Sequence, residues 1–184
     1  MIFKLNNHYI LLVLITLLML VSCQYQYQER IQTTEPDVMK DFLIDFTKKM
    51  INDEEELIDS LLGLSEIPFE KDSTGIRINI DYNINNEAIV YPEDGDQVSI
   101  LYNCVVFNDI DLISDDIFLD TLTFKIGYSK QMKGLNYAIK LLKVGDKSKI
   151  VIPSYLGFGL SGYQQSVPPY STLLLNIKLL NIKK

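Results

Sequence analysis

The spacing of residues Gly127 to Leu180 constrains this chain more tightly than any other stretch of it. Met132, Leu135, Ile139 and Leu142 form one apolar stripe at helical spacing, with Lys133, Asn136 and Lys140 on the opposite side, which predicts an amphipathic helix over Lys130 to Leu142. Gly145 stands just past its end, where a left-handed terminal position suits glycine, and Gly145-Asp146 reads as a turn. In Lys147 to Ile152 the residues Ser148, Ile150 and Ile152 alternate with Lys147, Lys149 and Val151, which is the period of a strand. A loop, Pro153 to Gly159, and the triplet Val167-Pro168-Pro169 lead to Thr172 to Leu180. There Leu173, Leu175, Ile177 and Leu179 share one face and Leu174, Asn176, Lys178 and Leu180 the other, as in a central strand.

Three more strands precede this run. Ile76 to Tyr82 alternates Ile76, Ile78, Ile80 and Tyr82. After a polar break at Asn83 to Glu87 and a turn at Tyr91 to Asp96, Gln97 to Phe107 places Val98, Ile100, Tyr102, Cys104 and Val106 on one face. Following a turn at Asn108-Asp109, Thr121 to Ile126 aligns Leu122, Phe124 and Ile126. An antiparallel sheet of five to six strands wrapped around one helix, an α+β domain over residues 73–184, accommodates all of these elements. Residues 35–66 read as a helical extension. Pro36 and the neighbouring acidic residues suit a helix start, Val38, Phe42, Phe46 and Met50 lie on one stripe, and a second helix, Asp53 to Leu62, buries Leu57, Ile58, Leu61 and Leu62 and ends at Gly63. The run Asp53-Glu54-Glu55-Glu56 reads as the solvated start of that second helix. The helices either pack on the neighbouring domain or form a dimerisation surface.

Residues 1–22 read as a removable targeting segment: Lys4, then an apolar run from Ile10 to Val21 interrupted by Thr16. The run falls short of the roughly 20 residues that span a bilayer. Leu20-Val21-Ser22-Cys23 resembles a lipoprotein signal, with Cys23 as the lipid-attachment residue, and residues 23–34, polar and Gln-rich, read as a tether. Several acyl chains, each contributing about 0.8 kcal/mol per buried methylene, make a stable anchor. Removal of the segment takes away Lys4 and the one histidine, His8, and moves the formal charge from −7 to −8. Cys104 is the sole remaining partner for Cys23. The mature chain therefore supplies neither a Ser-His-Asp triad nor a Cys/His metal site, and no metal or cofactor is expected. An acidic domain argues against nucleic acid. Cys104 itself reads as a small apolar group on a strand.

In order and at matching spacing, Gly127, Gly134, Gly145-Asp146, the strand Lys147 to Ile152, Pro153, Gly157-Phe158-Gly159, Val167-Pro168-Pro169 and the strand Thr172 to Leu180 resemble the FK506-binding-protein (FKBP) type of peptidyl-prolyl cis-trans isomerase. The resemblance spans roughly Gly75 to Ile182. It implies that Tyr102, Met132 and Phe158 are the catalytic positions, Met132 through its backbone N–H. Leu112, Ile113, Leu122, Gln131, Leu135, Val167 and Leu175 would line the substrate cleft. Several depart from the family: Phe158 stands for a tyrosine, Leu135 for a tryptophan, Leu112, Leu122 and Leu175 for phenylalanines, Gln131 for a valine and Ile113 for an aspartate. The expected pocket is apolar but aliphatic. On pattern alone, Tyr102, Phe124 and Leu175 are equally core residues of any sheet packed on a helix.

The signal, the extension and the isomerase-like domain together bear a looser similarity to Bacteroidetes lipoproteins that include gliding-motility-associated isomerases. That similarity implies a lipid-anchored folding helper facing the periplasm from the outer membrane, with proline-containing envelope polypeptides as clients. The alternative is a non-catalytic module that holds a peptide or partner in the same cleft.

Overall fold

The computed structural model describes residues 36–83, 90–114 and 117–184. The signal segment, the Cys23 anchor and the tether expected at residues 1–34 lie outside the described residues, as does most of the polar break after Asn83. The element order is α1 (Pro36–Leu62), β1 (Glu70–Lys71), β2 (Arg77–Asp81), β3 (Gln97–Val106), β4 (Asp120–Lys125), α2 (Lys133–Ile139), β5 (Lys147–Ile152) and β6 (Leu173–Lys183). The strands form one six-stranded antiparallel sheet in the order β1-β2-β5-β6-β3-β4. The α+β architecture read from the sequence is the observed one, with the two-residue β1 added at an edge. No helix among the described residues is long and apolar enough to cross a membrane.

Two compact units meet inside α1, after Lys48. In the first, Val38, Phe42 and Phe46 are exposed, and the rings of Phe42 and Phe46 stack with centroids 6.3 Å apart. The second, from Lys49 onward, contains the sheet.

Period-two alternation divides the apolar residues of this second unit between two cores. On one sheet face Val98, Ile100, Ile150, Ile152, Leu173, Leu175, Ile177 and Leu179 are completely buried with Leu135, Ala138, Ile139 and Leu142 from α2 and the turn after it. The contact is close because residue 134 is glycine: a β-carbon there would run into the Ile152 side chain. α2 is shorter than the apolar stripe suggested, beginning at Lys133 and ending at Ile139, although Leu142 keeps its buried place in the following turn. On the opposite face Val151 and Leu174 meet Ile58, Phe107 and Ile113, with Leu61, Leu62, Ile67 and Phe69 packed around them. The sheet is thus a middle layer, with α2 on one side and the second half of α1 on the other.

The structure corrects the reading of the extension in three respects. One continuous 27-residue helix replaces the two expected helices. Leu57 is exposed, whereas Ile58 is buried. The acidic run is mid-helix and contacts the sheet domain instead of capping a helix in solvent. Arg77, completely enclosed on β2, donates through Nε and Nη2 to Asp59 Oδ1 at 2.8 Å, through Nη1 to the Gly75 carbonyl at 2.6 Å, and through Nη2 to the Glu55 carbonyl at 3.3 Å. Glu55 also accepts from Lys71 Nζ at 2.6 Å and Tyr155 Oη at 2.7 Å.

The hydrogen bonds from Arg77 hold the Asp59 carboxyl below the ordinary carboxylate range. Burial alone would raise Glu55, but the bonds from Lys71 and Tyr155 and the Arg77 charge outweigh it and leave the group lowered. Both carboxyls are depressed in the folded state, so the stability they confer is complete above their ordinary values of 4.5 and 3.8 and disappears as pH falls through the lowered ones. Urea titrations below about pH 4.5 are expected to show the wild-type midpoint falling with acid, with a shallower fall in Arg77→Met.

Candidate active site

Strand register brings several of the expected site residues into one row. Ile100 pairs with Leu122 and Leu179, Tyr102 with Ile177, and Cys104 with Leu175, which in turn pairs with Ile150. Paired residues of antiparallel strands point to the same face, so Leu122, Tyr102 and Leu175 lie on the α2 side of the sheet in adjacent positions across β4, β3 and β6. Leu135 and Leu175 are buried in the core beneath. Tyr102, Leu122, Met132, Phe158 and Val167 pack against the same core but remain half-buried, so each presents an apolar edge to solvent. Burial raises the Tyr102 phenol, with the Asp120 carboxylate opposite adding to the effect, so the hydroxyl keeps its proton at neutral pH. Cys104, deeper on the same strand face, has its thiol pushed up to about 11 by burial and stays an unreactive packing group.

The loop beyond β5 supplies the aromatic wall. Phe158 stacks on Tyr163 with centroids 4.8 Å apart and an interplanar angle of 25°. Tyr163 and Val167 exchange backbone hydrogen bonds of 2.8 and 3.1 Å, closing a small loop that carries both the ring and the aliphatic side chain. Gly162 is required there: its φ is +60°, and a β-carbon would strike the Val167 carbonyl.

Met132 stands immediately before α2, with φ −56° and ψ 145°, and packs on the same core. Its carbonyl accepts from Asn136 N at 3.2 Å and Asn136 Nδ2 at 3.1 Å. Asn136 Nδ2 also reaches the Gln131 carbonyl, and its Oδ1 accepts from Gly127 N at 3.0 Å. Asn136 therefore fixes the chain entering α2, a role not legible from its place on the polar side of the helical stripe. Among the described residues the Met132 N–H makes no hydrogen bond. The chain entering α2 thus carries a backbone donor without a hydrogen-bond partner among the described residues, beside a side chain packed on the main core.

Leu112 and Ile113 lie elsewhere. Both belong to a short 3-10 helix, Ile110–Ser114, that packs with Phe107, Val151 and Leu174 on the opposite sheet face. Ile113 is 2% exposed and fills the core under α1. The structure thus does not bring these two together with Tyr102 and Phe158. A carboxylate at 113 would not supply a polar group to the expected cleft: Ile113→Asp is expected to lower unfolding free energy by about 3 kcal/mol, through a buried carboxyl without partners and lost packing, measured by urea denaturation. Gln131 is half-buried beside Met132, its carbonyl tied to Asn136.

An antiparallel sheet thus carries a short helix on one face, and the half-buried side chains of Tyr102, Leu122, Met132, Phe158 and Val167 border the core between them. The sequence pattern of FKBP-type peptidyl-prolyl cis-trans isomerases matches residues 90–180. The chain is 31% identical to FK506-binding protein 2 of Dictyostelium discoideum over 124 residues, 67% of this chain and 90% of that protein. It is 29% identical to FK506-binding protein 1 of Saccharomyces cerevisiae over 105 residues, 57% of this chain and 92% of that protein. Among solved structures it is similar to a peptidyl-prolyl cis-trans isomerase from Pseudomonas syringae pv. tomato, with TM-score 0.57 and 16% identity over 75% of this chain and 96% of that one. It is also similar to FkpA from Escherichia coli, with TM-score 0.53 and 20% identity over 98% and 84%. The chain belongs to the FKBP-type peptidyl-prolyl cis-trans isomerase family.

Proposed function

We propose that this protein is an envelope-anchored folding helper that accelerates cis-trans exchange of Xaa-Pro bonds in client polypeptides at the recess formed by Tyr102, Leu122, Leu135, Met132, Phe158, Val167 and Leu175. The observation that carries the reading is the Met132 N–H, without a hydrogen-bond partner among the described residues, beside the half-buried side chains that border the core. Isomerisation makes and breaks no covalent bond; its barrier of about 18–20 kcal/mol is the loss of amide resonance on rotation. A dry apolar wall removes the prolyl ring and the twisting amide from water, and a backbone donor fixed by Asn136 holds a substrate carbonyl while the bond turns. Neither role needs a histidine or a metal. The aliphatic residues under the rim keep the recess apolar but reduce ring stacking, which is worth about 0.5–1.5 kcal/mol per aromatic pair. Modest turnover with a narrow choice of Xaa is the expected outcome.

Phe158→Ala removes the ring that stacks on Tyr163 and is expected to lower kcat/KM on Xaa-Pro peptides about tenfold with little change in thermal midpoint. An unchanged kcat/KM would place the site elsewhere. The envelope location rests on Lys4, the apolar run and Cys23. Mass spectrometry of the protein from its membrane fraction is expected to find acyl chains on Cys23, and Cys23→Ala to release the protein into the soluble fraction.

A further inference from the structure

Glu54 lies in the middle of α1, on the side of the sheet away from the recess, yet its carboxylate is engaged by the recess loop. Oε1 accepts from Ser154 N at 2.6 Å and from Thr172 Oγ1 at 2.6 Å, and Oε2 accepts from Ser154 Oγ at 2.8 Å. Ser154 and Thr172 are the two ends of the segment that carries Phe158, Tyr163 and Val167. The β5–β6 ladder ends at the pair Ile152–Leu173, and just beyond it a single carboxylate clamps both ends of that segment through three short bonds to residues 100 and 118 positions away. Ser154 is 5% exposed, so two of the bonds are shielded from water and exchange poorly with solvent. The next side chain, Glu55, takes the Tyr155 hydroxyl at 2.7 Å, so consecutive helix residues hold consecutive loop residues.

A carboxylate is not required merely to attach the helix. Ile58, buried against Val151 and Leu174, and the Arg77–Asp59 pair already join α1 to the sheet. What Glu54 adds, beyond the last ladder pair Ile152–Leu173, is a clamp across the first and last residues of the loop itself. Resting on the isomerase reading, we propose that Glu54 is a positioning residue for isomerisation: by bridging Ser154 and Thr172 it sets the placement of Phe158 and Val167 against Met132. The extension helix is in this sense part of the isomerase domain.

The test compares Glu54→Ala, Glu54→Asp, Glu54→Gln and, as a control for stability, Ile58→Ala, all in the full chain. Glutamine reproduces the bridge: its oxygen accepts from Ser154 N and Thr172 Oγ1, and its amide donates to Ser154 Oγ. Aspartate is one methylene short. Glu54→Ala and Glu54→Asp are expected to lose about tenfold in kcat/KM per folded molecule, with Glu54→Gln within twofold of wild type. Ile58→Ala should be less stable but fully active when folded. Amide resonances of Gly157, Phe158, Tyr163 and Val167 should move in Glu54→Ala and stay in place in Ile58→Ala. Equal kcat/KM across the folded Glu54 variants, or loop resonances unmoved in Glu54→Ala, overturns the proposal. A wild-type protein without turnover overturns the isomerase reading instead, and the resonances then decide whether Glu54 positions the loop.

Discussion

Arg77→Ala is expected to destabilise the protein by about 2–3 kcal/mol, through buried carbonyls left without their donor and the lost packing of an enclosed stem, while Asp59, half exposed, returns to water. The guanidinium is 2% exposed and distributes its donors over Asp59, the Gly75 carbonyl and the Glu55 carbonyl. Truncation leaves two backbone carbonyls and a carboxylate without their charged donor and opens a void where the side chain lay beneath α1. Arg77→Lys should recover only part of the loss, since an ammonium cannot reproduce the fork that meets three acceptors at once. Urea unfolding at pH 7 reads the effect directly, as a lowered midpoint at unchanged slope. A loss under about 1 kcal/mol would mean that the apolar contacts of Ile58 hold α1 unaided.

Met132→Pro is expected to reduce kcat/KM about 100-fold in a protein that still folds, at the low end of what removal of one preorganised donor costs. The substitution is well suited to the question because Met132 has φ −56°, within the range to which a proline ring is locked, and precedes α2 without contributing its N–H to the helix. The carbonyl bonds from Asn136 remain. Met132→Leu, which alters the side chain and keeps the donor, should stay within about threefold of wild type. Comparable losses in both variants would shift the role of Met132 from its backbone to its thioether.

The strands were legible because period two is a property of the pleat alone: the faces assigned to Tyr102, Leu122 and Leu175 from alternation are the observed faces. The loop that carries Phe158 was legible as a loop for a similar local reason, since Gly159 and Gly162 adopt positive φ values that shape it. What the sequence hid depends on tertiary partners. Asn52 and Asp53 resemble a helix start, but no glycine or proline interrupts residues 37–62, and mid-helix Asn or Asp costs only about 0.7 kcal/mol, so the helix continues. The acidic run looked solvated because its partners, Arg77, Ser154 and Thr172, lie far along the chain. Arg77 gave no local signal, because it alternates with Asn79 and Asp81 on what reads as a polar strand face. Family spacing places Leu112 and Ile113 at the cleft through a stretch without strand periodicity. Their apolar character instead serves the second core that α1 creates.

The central claim is that the recess turns over Xaa-Pro bonds, and exchange NMR on a series of Xaa-Pro peptides with and without the protein from Gln24 onward tests it most directly. The account predicts faster cis-trans exchange for a subset of Xaa, lost in folded Met132→Pro and reduced in Tyr102→Ala. Line broadening from binding with no change in exchange rate, for every peptide, would contradict it and make this a peptide-holding member of the family.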